Sequence, residues 1–92
     1  MEVKEYLMQN GVGGEYSGYH YIIEGVQIIK STANKTKVKM MAVYRQIAKK
    51  YETTTSRVER AIRHAISKLK FNKYNTNSHF LFYWAEVKDV KA

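Results

Sequence analysis

Neither cysteine nor proline occurs anywhere in the 92 residues. The absence of cysteine excludes disulfides, thiolate metal sites and a thiol nucleophile, and fits a reducing compartment such as the cytoplasm. No apolar run reaches the roughly 18 residues that a membrane-spanning helix needs, so a membrane partner is not expected. The opening Met1-Glu2-Val3-Lys4-Glu5 lacks the basic start and apolar stretch of a signal peptide. Alternating apolar and polar runs long enough for a strand are missing as well. Acidic residues are few, eight against 16 Lys and Arg. They lie scattered on polar faces, with no paired carboxylates or converging nucleophile and base, so no enzyme and no small-molecule substrate is expected. His20, His64 and His79 are the only histidines, and none has a second ligand at metal-site spacing. No cofactor is expected. The Gly11-Val12-Gly13-Gly14 stretch is no phosphate cradle, because no Gly-Lys-Ser/Thr follows and no strand precedes it. It reads as a turn.

What is present is a chain of ordinary globular composition, 45% hydrophobic and 26% charged, sized for one domain around one modest core. Its net charge of +8 is distributed unevenly. Residues 1–29 hold one lysine and four glutamates, for −3, and residues 74–92 balance at zero. Residues 30–73 carry thirteen Lys or Arg against Glu52 and Glu59, for +11, and all four arginines lie between Arg45 and Arg63. Clustered arginine is a footprint of nucleic-acid binding, because the guanidinium forks onto guanine edges and phosphates.

The periodicity predicts an all-α bundle of about five helices. A first covers residues 2–9, with Val3, Tyr6 and Leu7 on one side. A second covers about 18–32, capped by Ser17, with Tyr19, Ile22, Ile23, Val26 and Ile29 forming a core stripe. After a polar, basic connection at 33–38, a third covers about 39–51 with Met40, Tyr44, Ile47, Ala48 and Tyr51 inward. A fourth runs from about Thr55 to Lys70. The last starts near Asn77 or Ser78 and buries Phe80, Leu81, Trp84 and Val87.

Residues 44–66 have the pattern of a helix-turn-helix within a core of about 40–70. Ala48 supplies the small residue where the second helix crosses the first, and Glu52-Thr53-Thr54 occupy the turn, with Glu52 where glycine is common. Either Thr54 caps the second helix, or Ser56 does so in a capping box with Glu59. Val58, Ala61, Ile62, Ala65, Ile66 and Leu69 form its buried stripe. The opposite face presents Ser56, Arg57, Glu59, Arg60, Arg63, Ser67 and Lys68. Such a helix enters the major groove with its N-terminal half against base edges, and Arg60 and Arg63 on adjacent turns suit neighbouring base pairs. Glu59 either accepts from a cytosine amino group or pairs with Arg63 four residues on.

At Ile47-Ala48-Lys49-Lys50, Thr53-Thr54 and Ser56-Arg57-Val58-Glu59-Arg60-Ala61-Ile62-Arg63-His64-Ala65-Ile66 the sequence resembles the C-terminal effector domain of the stage-zero sporulation regulator A family. Those are master response regulators of endospore-forming bacteria. Gly11-Val12, Gly18-Tyr19, Thr76-Asn77-Ser78 and Phe80 match as well. The resemblance implies a sequence-specific, double-stranded DNA-binding domain that regulates transcription in sporulation, in the bacterial cytoplasm and on the nucleoid when bound. It implies base reading by Glu59, Arg60 and Arg63. Thr54, Thr55, Ser56, Arg57, His64 and Lys68 would contact backbone or support those contacts, with Lys49 and Lys50 close to phosphates. It also implies a homodimer on DNA through the last helix. The chain departs from the family in two ways. Only Ser67 to Asn75 join the recognition helix to the last one, where relatives have an extra helix. The 92 residues also leave no room for a phosphoacceptor domain, which fits either a stand-alone relative or a piece of a longer chain.

Two other functions fit the basic face. One is a protein-interaction module whose helix docks an acidic partner. The other is RNA or single-strand binding, since eight tyrosines among basic residues could stack bases. Tyr19, Tyr44 and Tyr51 fall on expected core faces, where packing is their usual role.

Overall fold

A computed structural model of the protein describes residues 2–32, 37–70 and 76–87. Among these are five helices and no strand: α1 (Val3–Gln9), α2 (Ser17–Lys30), α3 (Met40–Lys50), α4 (Thr55–Ser67) and α5 (Asn77–Val87). The connection at 33–36, residues 71–75 of the shortened segment and the Val87 side chain lie outside the described residues.

Helices α1 and α3 end in the same way. In α1, Val12 N–H donates to Leu7 O at 2.8 Å and Gly11 N–H to Met8 O at 3.3 Å, with Gly11 at φ 95°. This six-to-one, five-to-two pairing satisfies the last carbonyls of a helix and needs a left-handed residue, which glycine supplies. Val12 is carried inward by the turn and is fully buried. In α3, Thr53 N–H donates to Ala48 O at 2.9 Å and Glu52 N–H to Lys49 O at 3.4 Å. Here the left-handed position falls on Glu52, at φ 54°. An L-residue there costs about 1–2 kcal/mol. Glu52→Gly is therefore expected to stabilise the domain by about 0.5–1 kcal/mol, since glycine's extra unfolded-state freedom offsets part of the relief. Chemical denaturation would read this as a raised midpoint; an unchanged or lowered midpoint would contradict a strained turn at Glu52.

Three expectations need correcting. Ser17 does not cap α2: Tyr16 holds the N-cap position, with no side-chain bond, and Ser17 is the first helical residue. Helix α4 stops at Ser67 rather than Lys70. Lys68 N–H bonds back to Ala65 O and Leu69 N–H to Ile66 O, tightening the end while Leu69 stays buried. Tyr51 is 39% exposed rather than core, because it lies past the end of α3 as its C-cap and meets Tyr21 edge-on.

The core joins all five helices. Leu7, Ile22, Ile29, Ile47, Ile62, Phe80 and Leu81 are fully buried, each such side chain contributing about 1.5–3 kcal/mol. Helix α2 is central, packing against each of the other four. It comes very close to α4 at Gly18. A Cβ there would overlap the Ala61 carbonyl oxygen and come within 2.7 Å of Ala65 Cβ. Tyr6 from α1 and Trp84 from α5 meet with ring centroids 5.1 Å apart.

Candidate nucleic-acid interface

The turn after α3 and the cap of α4 fix how α4 is presented. Thr54 has extended backbone and its Oγ1 accepts from Arg57 N–H at 3.2 Å, so Thr54 rather than Ser56 is the cap. Val58, Ile62, Ala65 and Ile66 then face the core, and Ser56, Arg57, Arg60, Arg63, His64 and Lys68 are exposed. Thr55 and Glu59 are half-buried at the edge of that face. Met41, Tyr44, Thr55, Ser56, Glu59 and Arg60 line a cleft of about 180 Å³ between α3 and α4.

The charges on this face are not equivalent. Arg63 Nη2 donates to Glu59 Oε1 at 3.0 Å, the intrahelical pair anticipated as one of two roles for Glu59. A guanidinium has five N–H donors, so this pair leaves others for a ligand. Arg57 and Arg60 have no ion-pair partner among the described residues, and neither does Lys49 at the end of α3. Lys50 is tied elsewhere: its Nζ donates to Glu24 Oε1 of α2 at 2.9 Å and sits 5.9 Å from the Tyr51 ring centroid. The Glu24 carboxylate, by hydrogen bond and by charge, holds the Lys50 pKa above its ordinary value. The His64 ring lies 5.9 Å from that of Tyr16, and Ser67 Oγ donates to the His64 carbonyl at 2.6 Å. Lys68 is the C-cap residue of α4. No three His, Asp or Glu side chains converge on a possible metal site among the described residues.

A family model described as the C-terminal domain of the sporulation initiation factor Spo0A matches residues 3–91. The chain belongs to this family. As a Spo0A C-terminal domain it is a DNA-binding domain of a sporulation regulator, not a member of a catalytic family, and DNA is its partner.

The Spo0A-type domain contains one polar group in its core that sequence reasoning passed over. Asn77, at the start of α5, is 7% exposed, and its Nδ2 donates to Tyr44 Oη and to the Glu59 carbonyl, each at 3.1 Å. A signal existed: Asn77 stands three and four residues before Phe80 and Leu81, in line with their stripe. Burial raises the Tyr44 phenol above its ordinary pKa; the Asn77 hydrogen bond lowers it by less, Glu59 raises it further and Arg63 lowers it. The folded state therefore holds this proton more tightly than the unfolded chain. That contribution to stability is whole below about pH 10 and is lost as pH rises through the folded-state value. Tyr44→Phe is expected to reduce the fall in urea midpoint above about pH 10 relative to the parent. Parallel falls would show that Tyr44 does not contribute.

Proposed function

We propose that this domain binds double-stranded DNA sequence-specifically and regulates transcription by reading the major groove with α4. In this reading Glu59, Arg60 and Arg63 contact base edges. Thr54, Thr55, Ser56, Arg57, His64 and Lys68 contact or support the backbone, with Lys49 and Lys50 near phosphates. The observation that carries it is Arg60: an exposed guanidinium with no ion-pair partner among the described residues, one turn from Arg63, on the helix face turned away from the core. Lys49, in the last turn of α3 before the turn into α4, is also exposed, as a phosphate contact requires. Two copies associate on DNA through α5, in the bacterial cytoplasm on the nucleoid.

Fluorescence anisotropy with two labelled duplexes tests this directly. One carries the box bound by sporulation regulators of this family, and the other has the same composition scrambled. Tighter binding to the box is expected, with affinity for both falling steeply as salt rises, by roughly 0.9 log units per log salt for each phosphate neutralised. Equal affinity for both would contradict specific reading of that box. No binding to either would favour a protein partner for the basic face.

A further inference from the structure

Asn77 is the one buried side chain among the described residues that is neither apolar nor aromatic. Burying an amide costs free energy unless its donors are satisfied, and the two bonds donated by Asn77 Nδ2 offset that cost. Both bonds lead to the proposed reading face. Tyr44, whose hydroxyl accepts one, is itself buried and lines the cleft with Glu59 and Arg60. The carbonyl that accepts the other belongs to Glu59, the residue whose side chain pairs with Arg63. One amide thus joins α5, α3 and the main chain of α4 at the turn that bears all three proposed base readers.

We infer that Asn77 is a positioning residue for base reading: it holds the Glu59–Arg63 turn of α4 through the Glu59 main-chain carbonyl and so sets discrimination between DNA sequences without touching DNA. The inference rests on the DNA-reading function proposed above. Bidentate base contacts fail when the scaffold shifts by about 0.5 Å, whereas contacts to phosphate carry no sequence information and long lysine chains adapt to small displacements. Removing Asn77 therefore relaxes specificity more than it weakens binding.

The test compares wild type, Asn77→Leu and Tyr44→Phe against the box and scrambled duplexes, with folding followed by circular dichroism. Asn77→Leu is expected to lower the box-to-scrambled affinity ratio by roughly tenfold, with scrambled-DNA affinity within about twofold and the salt slope unchanged. Tyr44→Phe keeps the donation from Asn77 to the Glu59 carbonyl and is expected to keep the ratio within about twofold of wild type. A loss of fold stability alone would leave the ratio untouched in folded protein. A wild-type ratio in Asn77→Leu would overturn the inference while leaving the DNA reading intact. A ratio near one in the wild type would overturn both, and shows before any variant is made. If Asn77→Leu lacks the wild-type helical signal, Asn77→Ser, too short to reach the Glu59 carbonyl, is read by the same criteria.

Discussion

Gly18→Ala is expected to cost the domain more than about 3 kcal/mol, beyond the usual 1–3 kcal/mol of an overpacked core site. The added methyl would overlap the main-chain carbonyl of Ala61 and crowd Ala65 Cβ at 2.7 Å. Neither obstacle is the free end of a side chain, so relief requires α2 and α4 to separate along this contact. That separation would also loosen Ile22 and Ile62, both fully buried. In thermal unfolding the loss corresponds to a fall of roughly 12 °C or more for a domain of this size. Gly25→Ala is the control on the same helix. Its Cβ would meet Leu81 Cδ1 at 3.3 Å and Ile47 Cδ1 at 3.5 Å, which are flexible chain ends. The gain of about 1 kcal/mol in helix propensity offsets that crowding, and little net change is expected. Equal losses at the two glycines would contradict the close α2–α4 contact at Gly18.

The second large effect concerns binding. Arg60→Ala and Arg63→Ala are each expected to cost about 1–3 kcal/mol on the box and to relax specificity at one base position. The two should differ in mechanism. Arg60 enters the complex without a partner to give up, whereas Arg63 is already paired with Glu59 at 3.0 Å. Loss of Arg63 also releases a carboxylate close to DNA, so its removal should weaken the scrambled duplex as well. Lys49→Ala removes one exposed charge at the end of α3 and should weaken every sequence alike, reducing the salt slope by about one. Binding measured across single-base variants of the box separates these outcomes. If Arg60→Ala leaves every base preference intact, Arg60 does not read bases.

Much of the fold was legible in the sequence because burial follows helical period. Of the stripes predicted for α2 and α4, Ile22, Val26, Ile29, Val58, Ile62, Ala65 and Ile66 are buried, and Tyr19, Ile23 and Ala61 are half-buried. What the period does not encode is how each helix ends. Tyr51 continues the α3 pattern, yet it falls after the last helical turn, where the chain has already begun the left-handed step at Glu52. Leu69 shows the converse: it stays buried although the helix has stopped, because the chain runs on over the core and Lys70 N–H bonds to Asn10 O. Small and polar residues on buried stripes were the under-read signals. Gly18 and Gly25 share a face with Ile22, Val26 and Ile29, a pattern that marks a close helix crossing in the sequence itself. The alternatives left open at Thr54 and Glu59 depend on geometry that spacing alone cannot rank. Thr54 caps because its backbone is extended and its hydroxyl faces Arg57 N–H.

For a 10.8 kDa protein, the most direct measurement is amide NMR of the labelled domain titrated with the box duplex. The largest perturbations are expected at Arg57, Arg60, Arg63 and His64 on α4, with smaller ones at Lys49 and little change at Lys4 and Glu5 on α1. Perturbations centred on α1, with the outer face of α4 unmoved, would contradict reading by α4.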